Sequence, residues 1–100
     1  MARYEIDGAI FTTGNAPASW PEATRWNGNN RISIATGSQW EHETLYRSAK
    51  GRYWIEHTSQ WQGSTDYATL CPDREAALWL LANDHPLPAD LAEHEAEVTE

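Results

Sequence analysis

The residues best suited to chemistry in this chain crowd one short stretch: Glu41, His42, Glu43, Glu56 and His57. Imidazole and carboxylate side chains bind divalent metals and move protons. If Glu43 and His57 lie opposite each other on paired strands, they form two ligands of a metal site that needs a third. No HExxH or other spaced metal motif accompanies them. The plainer reading is therefore a cross-strand charge or hydrogen-bond pair. A nucleophile pair can be drawn between Cys71 and His57 or His85, because a cysteine just before a helix feels the helix dipole. No serine elbow, phosphate-binding loop or CxxC motif occurs. These residues therefore predict a non-catalytic protein with no cofactor.

Two further groups are suited to binding. Trp40, Tyr46 and Trp54 form an aromatic stripe. Such a stripe is core beneath a covering segment, a protein interface, or a platform for stacking a ligand. Arg47, Lys50 and Arg52 form a basic cluster.

These groups are positioned by a β-hairpin between Trp40 and Trp61. Leu45–Ser48 and Arg52–Ile55 are rich in aromatic and branched residues, as strands are. Between them, Ser48-Ala49-Lys50-Gly51 suits a type I turn followed by a residue of positive φ, a conformation that costs glycine little. That closure fixes the register: Ser48 faces Arg52, Arg47 Tyr53, Tyr46 Trp54, Leu45 Ile55 and Glu43 His57. Side chains alternate between faces. One face then carries Glu43, Leu45, Arg47, Tyr53, Ile55, His57 and Trp61. The other carries Trp40, His42, Thr44, Tyr46, Arg52, Trp54 and Glu56. Both faces are apolar, so both need a cover. A helix is expected on the Leu45/Ile55 face, and the N-terminal part, a second copy of the chain or a ligand on the other.

The remaining elements follow from local signals. Asp7-Gly8 predicts a tight hairpin that pairs Tyr4 with Phe11. Residues 14–30 are rich in Gly, Asn and Pro and read as a loop. Within it, Ser19-Trp20-Pro21-Glu22 has the pattern of a capping box opening a helical turn. Arg31–Ala35 alternates as a strand, and Asp66–Leu70 reads as another. A helix is expected over Pro72–Ala82, with Ala77, Leu78, Leu80 and Leu81 as its apolar stripe and Trp79 beside it. Asn83, Asp84 and Pro86 end it. Together these predict an α+β fold: an antiparallel sheet of four or five strands with one main C-terminal helix packed on one face.

With 100 residues the chain is one domain. Residues 1–91 are expected to form it, followed by an acidic tail at 92–100 that is disordered or a frayed helix. The net charge is −8. Six acids and no Lys or Arg lie from residue 83 onward, whereas residues 1–82 hold nine acids and all seven bases. Overall acidity disfavours nucleic acid as a general partner, although a local phosphate contact through the basic tip stays open. The tail can also dock on a basic protein, or fold back on Arg47, Lys50 and Arg52. A single cysteine fits a reducing cytoplasm. No apolar run reaches membrane-spanning length, and no signal-peptide pattern begins the chain.

The run Leu45–Glu56 followed by Pro72–Leu81 resembles a pattern of small bacterial, mobile-element-type proteins. In them a Y-R-S-x-x-G-R-Y hairpin precedes a P-x-x-E-A-A-x-W-L-L helix with serine before the proline. Cys71 stands here where that pattern has serine. The resemblance implies a sheet-plus-helix fold and a bacterial origin, with no activity or site residues to carry over. The resulting expectation is a non-catalytic interaction or regulatory protein that self-associates through the aromatic sheet face, one route being a small acidic protein that inhibits a basic partner such as a nuclease or toxin. The alternative is a nucleic-acid-linked regulator, with a metal enzyme third.

Overall fold

In the computed structural model, residues 2–60, 63 and 65–100 are described. Eight strands run in chain order: β1 (Arg3–Ile6), β2 (Ala9–Thr12), β3 (Ala18–Pro21), β4 (Thr24–Trp26), β5 (Arg31–Ser33), β6 (Glu41–Arg47), β7 (Tyr53–Ser59) and β8 (Tyr67–Leu70). Helix α1 (Asp73–Ala82), a 3-10 segment (Ala89–His94) and the short α2 (Glu95–Val98) follow. The fold is α+β with little helix. Its main sheet is antiparallel and four-stranded, in the order β3-β6-β7-β8.

The β6–β7 pair has the register that its turn dictates: Leu45 pairs with Ile55, Tyr46 with Trp54, Arg47 with Tyr53 and Glu43 with His57. The Ser48 N–H donates to the Arg52 carbonyl at 2.7 Å and the Gly51 N–H to the Ser48 carbonyl at 2.9 Å. Gly51 takes φ +87°. Trp61, expected on the Leu45 face, lies outside the described residues.

Each face of the sheet has its own cover. On one, Leu45 and Tyr53 are buried with Ala76, Ala77, Leu80 and Leu91, while Trp20, Ile55, Trp79 and Leu87 pack around them. On the other, Trp54 is fully buried under the β1–β2 hairpin. The Tyr4 and Phe11 rings lie 5.9 and 5.7 Å from the Trp54 ring, and Tyr46 stacks on it at 4.6 Å. Asp7 and Gly8, at φ 51° and 80°, make the tight turn that sets Tyr4 opposite Phe11. Tyr4 and Phe11 thus share the inner face of this ribbon, and Ile10 points outward at 60% exposure.

Three local readings are corrected. Ser19–Glu22 opens no helix: Ala18–Pro21 is the edge strand β3, with Trp20 opposite Leu45. Pairing with β6 and burial of Trp20 outweigh the capping signal, and proline is tolerated at the end of an edge strand. Ser33 ends its strand early, and Arg31–Ser33 pairs with β4 rather than joining the main sheet. Asn27 closes that ribbon by accepting from the Asn29 and Asn30 N–H groups at 2.9 and 2.8 Å.

The third correction concerns the buried stripe of α1. It is Ala76, Ala77 and Leu80, continued by the C-cap Asn83, with Leu78 47% exposed. Two alanines let the helix approach the sheet closely, and this turns Leu78 away. Asn83, 3% exposed, is held there by polar contacts: its side chain donates to the Trp79 carbonyl at 2.8 Å and accepts from the Ala23 N–H at 2.9 Å. Of the two readings of residues 92–100, helix or disorder, the chain takes the helical one, as a 3-10 segment over Ala89–His94 and the four-residue α2. Leu91, fully buried, fastens its start to the core.

Gly51→Ala tests the turn. An L-residue in the left-handed region costs about 1–2 kcal/mol, and the added methyl would also stand 3.3 Å from the Arg47 guanidinium. Urea unfolding should show a loss in that range. Leu80→Ala, which empties a fully buried site, should cost about 2–5 kcal/mol.

Candidate functional site

The His/acid cluster assembles at the open end of the hairpin, around a cleft of about 270 Å³. Its organiser is Glu22, just beyond β3. One carboxylate oxygen accepts from the Glu43 N–H at 2.7 Å and the Ser33 hydroxyl at 2.8 Å, and the other meets His42 Nδ1 at 2.6 Å. Glu43 and His57 do face each other, with Glu43 Oε2 3.5 Å from His57 Nδ1. Both are otherwise engaged. Glu43 Oε1 accepts from Trp79 Nε1 at 2.9 Å, fastening α1 to the sheet. His57 Nε2 lies 2.9 Å from the Thr69 hydroxyl, and its ring stacks on Tyr67 at 4.4 Å. Among the described residues no three His, Cys, Asp or Glu side chains converge as metal ligands. The pair is a structural bridge between sheet and helix.

Cys71 is 7% exposed in the core. Burial first, then the carboxylates of Glu75, Glu43 and Asp73, pushes its thiol up to about 12, opposite to the lowering expected from the helix dipole. Neither proposed partner serves it: His57 is held as above, and His85 Nε2 meets the Pro21 carbonyl at 2.7 Å while its ring stacks against Trp79.

The aromatic trio does not form an open platform. Trp54 is fully buried, Tyr46 is stacked on it, and Trp40 sits before β6 at 40% exposure. The cover on this face is the N-terminal hairpin. Glu56 ties the two layers by accepting from the Tyr4 hydroxyl at 2.6 Å and the Tyr46 hydroxyl at 3.4 Å. Burial and the Glu56 carboxylate raise both phenols above their ordinary range.

The basic tip is split by strand parity. Arg47, on the helix side, contacts Asp90 through Nε at 3.2 Å. Asp90 also accepts from the Tyr53 hydroxyl, 3.0 Å from each carboxylate oxygen. Burial and that carboxylate raise Tyr53 to about 12. Arg52 lies on the other side, its guanidinium 5.5 Å from the Phe11 ring centre. There Lys50 and Arg52 border a second hollow, about 560 Å³, between the tip and β2.

Charge is segregated by layer. Eight of the fifteen acids but only Arg74 among the bases lie at or beyond Asp73, so this segment carries −7 of the net −8. Glu93 is 81% exposed on the side chain, and Glu97 is 51% exposed beside Arg74 at 3.8 Å. An exposed pair at that distance contributes little.

Sequence reasoning missed Glu22 and Asp90, the two acids that organise the rest. The local pattern places Glu22 in a capping box; for the acidic end it offers a fold-back on Arg47, which Asp90 makes, without singling out that residue. Their partners are 20 and 43 residues away along the chain, and no local pattern encodes such a pairing.

Two measurements test these environments. Iodoacetamide at pH 8 should label Cys71 at least about a hundredfold more slowly in the native protein than in urea, because only thiolate reacts. The phenols of Tyr4, Tyr46 and Tyr53 lose protons later in the folded than in the unfolded chain, where release is near 10. Their stabilising contribution is therefore whole below about pH 10 and declines as pH rises towards 12. Denaturant unfolding stepped from pH 8 to 12 should show this fall, and Tyr53→Phe should flatten part of it. Compared with known proteins, the chain matches no family model, no curated sequence and no solved structure.

Proposed function

We propose that this protein is a non-catalytic interaction module that docks its helical layer on a basic protein partner and occludes that partner's working surface. The observation that carries this reading is the charge segregation: −7 on the segment from Asp73 onward and −1 on everything before it. A one-signed surface steers an oppositely charged partner and speeds association. A nuclease or a similarly basic toxin suits this chemistry, because any protein that grips phosphates must present cations. The arrangement of Glu43, His57 and Cys71 supports the non-catalytic reading, since each is engaged in fastening or packing.

The alternative, phosphate contact through the tip, is weakened by the Arg47–Asp90 pair. Lys50 and Arg52 remain. Two phosphate contacts change log K by only about −1.8 per decade of salt, far from the six to ten contacts of strong binders.

Affinity capture from the source cell, with the full chain as bait, should return a basic protein that elutes as salt is raised. Combining Glu93→Lys, Glu95→Lys and Glu100→Lys should lower capture at least about tenfold with an unchanged circular dichroism spectrum. Lys50→Glu with Arg52→Glu should leave capture intact. Equal capture by the triple variant, or loss through the Lys50/Arg52 variant, overturns the reading.

A further inference from the structure

The N-terminal hairpin covers Trp54 but leaves one of its own edges open. Strands β1 and β2 form a two-stranded sheet. The tight turn at Asp7-Gly8 makes Ile6 and Ala9 the first hydrogen-bonded pair, so alternate residues of β2 address β1. The bond from the Thr13 N–H to the Ala2 carbonyl, 3.0 Å, continues that series. Ala9 and Phe11 are therefore joined to β1, while the N–H and C=O groups of Ile10 and Thr12 project from the opposite edge.

Apart from its shortness, that edge has none of the usual safeguards. Strand β2 reads Ala-Ile-Phe-Thr, with no proline, no lysine and no charge. It forms one wall of the 560 Å³ hollow, and the hairpin tip forms the other. The charged groups lining the hollow are Lys50 and Arg52, both cations, in a chain of net −8. Trp54 also lines it, and Trp54 Nε1 is buried with no hydrogen-bond partner among the described residues. A buried donor without an acceptor is uncommon in native proteins.

We propose that this hollow receives an extended acidic segment of a partner protein, which adds as a third strand along β2 and sets a carboxylate against Lys50 and Arg52. A row of alternating backbone donors and acceptors is matched best by another backbone. The two cations select the side chains that flank it. Pairing of two copies of this chain through β2 fits less well, because it brings two sets of Lys50 and Arg52 into one interface. The inference concerns a different surface from the helical layer, and its failure leaves the reading of that layer untouched.

The test is a titration of the full-length ¹⁵N-labelled chain with the blocked peptide acetyl-Val-Glu-Val-Asp-Val-amide. The amides of Ile10 and Thr12 and the indole N–H of Trp54 should shift together and gain protection from exchange. Lys50→Glu with Arg52→Glu should weaken binding at least about tenfold and transfer the preference to the lysine-for-acid version of the peptide. Ile10→Pro removes one outward donor without touching a bond to β1, and should also weaken binding while circular dichroism stays unchanged. Four results would overturn the proposal. One is no binding at millimolar peptide. A second is equal binding of a peptide N-methylated at alternate amides. A third is the same shifts produced by sodium phosphate alone, which marks a plain anion site. The fourth is the same shifts on concentrating the protein without peptide, which marks self-association.

Discussion

The turn at Ser48–Gly51 is the constraint on which the molecule rests. By closing β6 onto β7 in one register, it commits Leu45, Tyr53 and Ile55 to one side of the sheet and Tyr46 and Trp54 to the other. A slip of one residue would exchange the two sets. Because each side is apolar, each needs a cover, and a chain of 100 residues has little material for two. The solution is three thin layers. A four-residue-strand hairpin covers Trp54, and a ten-residue helix with the following 3-10 segment covers Leu45. Thin layers depend on large side chains, and this accounts for the concentration of Trp and Tyr around the central pair.

The layers are fastened by carboxylates. Glu22 joins β3 to β6, Glu43 joins the sheet to Trp79 of α1, Glu56 joins the sheet to Tyr4, and Asp90 joins Tyr53 and Arg47 to the C-terminal segment. In each, an acceptor with several lone pairs satisfies donors from more than one element, which is stronger than a neutral contact. Glu43 and Glu56, which look suggestive of chemistry in the sequence, are thus among the acids holding the layers together. Most of the other acids lie from Asp73 onward, where the chain's net charge collects.

The same parity that divides the apolar residues divides the basic ones. Arg47 and Arg52 stand on opposite sides of the sheet, so a cluster contiguous in sequence becomes two environments. Arg47 is drawn to Asp90, and Arg52 with Lys50 borders the hollow beside β2. The molecule presents an acidic helical surface on one side and a small cationic recess on the other. The separation of the two arginines follows directly from the alternation of a β-strand, and the acidity of the helical side from the acids beyond Asp73.

The sequence by itself determined the central pair, its turn, the Asp7-Gly8 hairpin and the position of α1. Each of these is a short-range matter of backbone φ, side-chain alternation or helix spacing, and each is written within about ten residues. It also determined that both faces of the sheet would need covering. Tertiary structure alone decided which segment covers which face. It made Ala18–Pro21 a strand against its capping signal, turned α1 onto its alanines rather than Leu78, and drew the C-terminal acids into a helix seated on Leu91. Those outcomes depend on contacts between residues tens of positions apart, whose burial outweighs the few tenths to about 1 kcal/mol that local propensity supplies.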